Sequence, residues 1–229
     1  METYEQYLEF KKKYEELCSE MSDLQLLYEN NLEHSTALEN ELMAHNEAMA
    51  VLQDKMKRYL SPQLYQALLG GKTSADTSVH SRKNLAVYFS DVVGFSDLTD
   101  SIEPELLSEI LNSYLTRMSE VALKYGGTVD KFIGDAIMVF FGDPEFIDSV
   151  THVRRCVGMA LEMREQLFIL REGWRGKGID RPIQVRAGIN IGYCTVGNFG
   201  SEYRMDYTIN GGLVNVASLL QSAAPPDCI

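Results

Sequence analysis

Asp91 and Asp135 are the two residues of this chain whose type and setting most suggest chemistry. Each follows an apolar run that reads as a strand, LAVYF before Asp91 and TVDKFI before Asp135. A sheet pairing those strands would bring two carboxylates to one rim. Hard divalent cations that handle nucleotides take one or two protein carboxylates and complete their shell with phosphate oxygens and water. Either Asp alone reads more simply as a turn former or a helix cap, since turns favour aspartate. It is the pair that points to a metal site. After Asp91, Gly94 lets the chain turn sharply, and backbone N–H groups in such a turn can face a phosphate.

The elements that must position this pair are legible around it. Leu85–Phe89 is five apolar residues, as in a buried strand ending at Asp91. Gly126-Gly127 turns the chain into TVDKFI, Gly134-Asp135 turns it again, and AIMVFF returns, so Asp135 sits at a tight hairpin turn. Between them, Pro104 suits the first turn of a helix, and Leu106, Leu107, Ile110, Leu111, Tyr114, Leu115, Met118, Val121 and Ala122 recur at helical spacing. A second amphipathic helix is predicted from about Ser149 to Glu172, with Val153, Cys156, Val157, Ala160, Leu161, Met163, Leu167 and Leu170 inward. The segment GWRGKGIDRP reads as a solvated basic loop, with approach to a triphosphate as the alternative. Ile183–Ile191 is the next strand, Tyr193–Val196 pairs with it, and a helix runs from Val214 to about Ser222.

Four ordered stretches carry a resemblance. FSDVVGFSDL and KFIGDAIMVFFG are similar to the two metal motifs of class III nucleotidyl cyclases, and GINIGYCTVGNFGS followed by DYTINGGLVNVAS resembles their C-terminal signature. The likeness runs from about Arg82 to Ile229 and implies a ferredoxin-like α+β core. It also implies two Mg2+ or Mn2+ ions at a site of Asp91, Val92 and Asp135. The substrate would be met by Gly94 and Phe95 and its purine read by Lys131 and Thr208, while Asn215 would steady the transition state. A Lys donates to a ring nitrogen that accepts, as adenine N1 does, whereas guanine presents a donor there. Guanine-specific members carry Glu where Lys131 stands, so the resemblance favours ATP.

The chain also departs from that pattern. Leu219 occupies the place, four residues after Asn215, where the family has an Arg that meets the transition-state phosphate. Asn210, Gly212 and Leu213 differ from the commonest form of that loop, and the family's last strands and C-terminal Lys have no counterpart before Ile229. Truncation and deliberate division of the domain both fit.

Residues 1–60 contain neither Gly nor Pro. With Tyr7 at a, thirteen of the sixteen a and d positions to Tyr59 are apolar, interrupted by Asn31, Ser35 and His45. Such a narrow, sustained stripe predicts a coiled-coil stalk and a parallel homodimer, against the alternative of a helix packed on its own domain. Ser61-Pro62 stops the helix. RYLSPQLYQALLGG is similar to the junction that precedes bacterial cyclase domains and implies an upstream sensor, and residues 71–84 read as a polar linker in which His80 is solvated. The organisation expected is therefore stalk 1–60, junction and linker 61–84, and catalytic domain 85–229.

A chain of 229 residues with 45% apolar composition can build one core plus such an extension. Its net charge of −12 excludes a nucleic-acid surface built on clustered Lys and Arg. No apolar run approaches a membrane span, no secretory signal follows Met1, and Cys18, Cys156, Cys194 and Cys228 show no metal-type spacing, all as expected of a cytoplasmic protein with reduced thiols. Two functions stand open: an adenylate cyclase acting as a homodimer, and a cyclase-like regulatory module that binds nucleotide but turns it over poorly.

Overall fold

The computed structural model describes the chain except residues 1, 61–64, 66–68, 71–79, 180–181 and 202. Most of the junction and linker thus lies outside the described residues. The chain divides into two compact units, residues 1–59 and 60–229. In the first, α1 (Glu2–Tyr59) is one uninterrupted helix of 58 residues, as expected without Gly or Pro to break it. Its thirteen apolar a and d side chains are 44–88% exposed, so the helix leaves its own seam uncovered among the described residues.

The second unit is α+β. Its described elements are β1 (His80–Val92), α2 (Phe95–Ser101), α3 (Pro104–Lys124), β2 (Thr128–Ile133), β3 (Ala136–Phe141), α4 (Ser149–Arg175), β4 (Val185–Ser201), β5 (Arg204–Asn210) and α5 (Gly212–Ala223). The sheet order is β2-β3-β1-β4-β5 with every pair antiparallel. The first four strands have the ferredoxin-like order. Period-two alternation explains why LAVYF is apolar throughout: Ala86 and Tyr88 face the core under α3 and α4, while Leu85 and Val87 face a second core with Leu213 and Ala217 of α5. Both faces of the central strand are buried, so neither can be polar.

Several boundaries differ from the sequence reading. β1 begins at His80 rather than Leu85, because residues 80–84 pair with Tyr193–Gly197 of β4. His80 is accordingly a strand residue, exposed, with its ring 4.7 Å from that of Phe199 and its Nε2 3.0 Å from the Asn198 carbonyl. Residues 185–201 form one strand rather than two paired ones, and Tyr193–Val196 lies against β1. α4 runs on to Arg175 and turns Val157 and Leu161 outward, at 41% and 42% exposure, while His152, Met159, Arg171 and Trp174 face in. At the far end, Asp227 N–H donates to the Val185 carbonyl at 2.8 Å and Ala187 N–H to that of Cys228 at 3.0 Å, extending the pairing along the edge of β4.

α5 crosses β4 at Gly188. A Cβ there would lie 2.3 Å from the Ala217 carbonyl oxygen and 2.4 Å from the Gln221 nitrogen, both backbone atoms that cannot swing aside. Gly188→Ala should therefore cost about 1–3 kcal/mol by forcing α5 off the sheet. Thermal unfolding checks this: a midpoint several degrees below the parent's is expected, and an unchanged midpoint would contradict the close approach.

Candidate active site

Antiparallel register builds the first part of the site. Asp91 and Arg186 are direct partners across β1 and β4. The guanidinium grips the carboxylate with both forks, Nε to Oδ1 at 2.9 Å and Nη2 to Oδ2 at 3.2 Å. Its remaining Nη1 donates to the Ser222 carbonyl at 3.1 Å, which ties the last turn of α5 to the same residue. Asp135 comes from the β2–β3 turn, where Gly134 has φ +64°. Its Oδ2 accepts the backbone N–H of Val92 at 2.8 Å. The hairpin turn is thus fastened to the end of β1, and the two carboxylates expected at one rim are brought there.

Burial pushes the Asp135 carboxyl above the usual range, against the pull of the Val92 N–H, and the negative charge of Asp91 adds to the rise. The Asp91 carboxylate in turn holds the Arg186 guanidinium above its ordinary pKa. Two anions thus lie close enough to influence one another, with one cation paired to Asp91. The donor set fits a hard divalent cation: carboxylate oxygens only, half-buried, at the mouth of a turn. Among the described residues no group of three or more His, Cys, Asp or Glu could close a shell. Such a site leaves coordination to be completed by phosphate and water.

Val92 contributes its N–H to Asp135. Gly94 adopts the left-handed conformation, φ 66° and ψ 33°, and caps α2. Phe95 at the first turn of that helix packs its ring against the core, which leaves its backbone as the part available to a substrate.

The second part of the site joins the two edges of the sheet. Thr208 on β5 donates its hydroxyl to Asp130 Oδ2 on β2 at 2.6 Å, although those strands stand first and last in the sheet order. The sheet curls enough to bring its edges together. Lys131 Nζ lies 3.7 Å from Asp130 Oδ1. A bulge between Val129 and Lys131 sets Asp130 out of the β2–β3 pairing. Its side chain is 1% exposed, and burial raises its pKa. A neighbouring tie does similar work: buried Asp143, just past β3, is held by Lys83 and by the Tyr207 hydroxyl, while its carbonyl accepts from Thr128 Oγ1 at 2.8 Å.

Asn215 and Leu219 stand one turn apart on the exposed side of α5, opposite Leu213, Ala217 and Gln221, which pack inward. Leu219 is 68% exposed. The basic segment after α4 is less free than its sequence suggested. Trp174 is buried with its Nε1 donating to Ser113 Oγ at 3.1 Å, Arg175 pairs with Glu172 at 2.7 Å, and Lys177 is held by Glu109. Both cations already face carboxylates of their own chain.

The structure brings Asp91 and Asp135 to one rim and Lys131 and Thr208 to one carboxylate, and it adds Arg186 and Asp130, which the sequence reading did not name. Arg186 lies one residue before AGINIG in a strand whose partner could not be read from local pattern. Asp130 did carry a signal, an acid inside an otherwise apolar strand run next to a Lys.

Comparison with known proteins gives the family. The family model of the adenylate and guanylate cyclase catalytic domain matches residues 77–229. The adenylate cyclase of Anabaena cylindrica is 30% identical over 187 residues, 77% of this chain and 36% of its own length. This chain therefore spans about a third of that relative. Among solved structures, the adenylyl cyclase CyaB from P. aeruginosa is 51% identical with a TM-score of 0.64, covering 65% of this chain and 76% of its own. The guanylyl cyclase Cya2 is 33% identical with a TM-score of 0.61, covering 64% and 73%. Sequence and fold agree that the chain belongs to the class III nucleotidyl cyclases, as a catalytic domain of that family.

Proposed function

We propose that this chain is an adenylate cyclase, which converts ATP to 3′,5′-cyclic AMP and pyrophosphate at sites shared across a parallel homodimer. The observation that carries the reading is the carboxylate pair Asp91 and Asp135 fastened at the end of β1, with Lys131 and Thr208 gathered on one carboxylate nearby. Divalent cations, Mg2+ or Mn2+, held by Asp91 and Asp135 would neutralise the triphosphate and ease loss of the proton from the ribose 3′ hydroxyl. The 3′ oxygen then bonds to the α-phosphorus as the bond to pyrophosphate breaks, and no nucleophilic side chain is needed.

The chain's own residues supply the rest. Val92 N–H orients Asp135, and the Gly94 turn offers backbone N–H groups beside it. Arg186 presents a bidentate fork of the shape that suits phosphate as well as carboxylate, and its hold on Asp91 keeps it at the cation-binding rim. Lys131 donates to adenine N1, and Thr208 accepts from the exocyclic amine. Asn215, exposed on α5, faces away from its own core, and across a dimer it would meet the partner's substrate.

Dimerisation is supported by the exposed apolar seam of α1, which a second helix of the same pattern would bury. Parallel pairing delivers both catalytic domains to one end, and an upstream sensor would act through this stalk. Light scattering at micromolar concentration should give twice the chain mass of 25.8 kDa, and a monomer would refute the pairing.

A second reading rests on Leu219. Its exposed side chain offers a phosphate no donor, and Arg175 and Lys177 are engaged with Glu172 and Glu109. A preorganised donor to developing charge is commonly worth about a hundredfold in rate. The chain should therefore form cyclic AMP slowly, and Leu219→Arg should raise turnover by about that factor while changing KM little. Rates measured with Mn2+ and ATP decide between them. Equal, substantial rates for parent and variant would show that another donor already fills the role, and cyclic AMP from neither would favour a nucleotide-binding module.

A further inference from the structure

We infer that Asp130 is a positioning residue that determines base specificity, because its single carboxylate accepts the hydrogen bond of the Thr208 hydroxyl and holds the Lys131 ammonium beside it, fixing an acceptor and a donor in the pattern adenine requires. The inference rests on the reading of Lys131 and Thr208 as the groups that face the base.

A threonine Oγ carries one proton and two lone pairs, and taken alone it can turn to meet either a donor or an acceptor. It therefore reads nothing until its proton is committed. In this chain the proton is committed: Thr208 Oγ1 donates to Asp130 Oδ2 at 2.6 Å, in the range of a hydrogen bond to an ionised acceptor. What remains on Thr208 is lone pairs alone. Those accept from the amine at position 6 of adenine and are repelled by the carbonyl oxygen at the same position of guanine.

The other oxygen works on Lys131. Asp130 Oδ1 is 3.7 Å from Lys131 Nζ and has no hydrogen-bond partner, although it is buried. A carboxylate oxygen at that depth disfavours departure of the one nearby cation. The ammonium is kept next to Thr208 with its protons free to donate to a ring nitrogen. Adenine presents an acceptor at N1 and a donor at position 6, and guanine presents the reverse. Donor and acceptor side by side on one carboxylate thus match adenine and oppose guanine twice.

The placement of Asp130 suits this task as well as that of tying β2 to β5. It is the bulged residue of β2, left out of the β2–β3 pairing, with a side chain 1% exposed on a strand that meets β5 only across the curl of the sheet. Burying an acid costs stability unless it is paired. Burial raises its pKa, against the lowering effects of Thr208 and Lys131.

The test is the ratio of equilibrium affinities for ATP and GTP, measured by calorimetry on the full chain with Mn2+. The parent should prefer ATP. Thr208→Ala and Asp130→Asn should each lower that preference by about tenfold, the worth of one hydrogen bond to a charged group, and the double variant should lower it no further than either alone. Asp130→Ser, which leaves a neutral group in place of the carboxylate, should behave as Asp130→Asn does and serves if the latter does not fold. A purely structural Asp130 would weaken both nucleotides together and leave the ratio at the parent's value, which would overturn the inference. So would additive effects in the double variant. An unchanged ratio in Thr208→Ala would overturn it for a different reason, by showing that the base is read elsewhere.

Discussion

Two carboxylates held close at the end of a strand buried on both faces are the constraint on which the rest of this domain depends. Asp91 and Asp135 repel one another, and in a partly buried setting that repulsion is worth far more than in water. The chain offsets it with two contacts, the Arg186 fork on Asp91 and the Val92 N–H on Asp135. Each contact demands something of the fold. The fork requires β1 and β4 to be antiparallel in one register, with Asp91 opposite Arg186. The N–H bond requires the β2–β3 turn to arrive at the last residue of β1, which Gly134 permits with its left-handed backbone. A slip of one residue would send every side chain of β1 to the opposite face and break both contacts together.

The same register explains why α5 lies where it does. Arg186 reaches past Asp91 to the Ser222 carbonyl, and Gly188, two residues further along β4, lets the helix backbone approach within contact. The helix that displays Asn215 is therefore positioned from the rim that carries Asp91. The side that carries Lys131 and Thr208 is positioned independently, by the curl that brings β5 against β2 and by the paired ties Thr208–Asp130 and Tyr207–Asp143. The proposed cation and base sites are thus fixed by different parts of one sheet, and on that proposal a nucleotide would span them.

Much of this was legible in the sequence where the signal is local. The run LAVYF, Gly126-Gly127 before the hairpin with Gly134 at its turn, and Pro104 at the start of α3 each act within a few residues, and each produced the element expected. Signals that depend on distant partners were not legible. HSRKN looks like a polar linker, yet it is strand because β4 is long enough to pair with it. Gly192 looks like a break between two strands, yet it lies opposite Leu85 in the middle of one. Val157 and Leu161 fit the apolar repeat of α4 but fall on its outer side, while Arg171 faces in and donates to the Ile183 carbonyl at 2.6 Å. Arg186 and Asp130 escaped for the same reason, since each acquires its meaning from a residue 95 or 78 positions away.

The central claim is that Asp91 and Asp135 together hold the cations that accompany the nucleotide. Anomalous scattering from a crystal of the full chain grown with manganese and a non-cyclising ATP analogue tests it most directly. Manganese peaks within bonding distance of both carboxylates, with Arg186 turned from Asp91 to phosphate oxygens, are the expected result. Nucleotide bound with manganese on its phosphates, neither carboxylate touching the metal and the Asp91–Arg186 pair intact, would contradict the account.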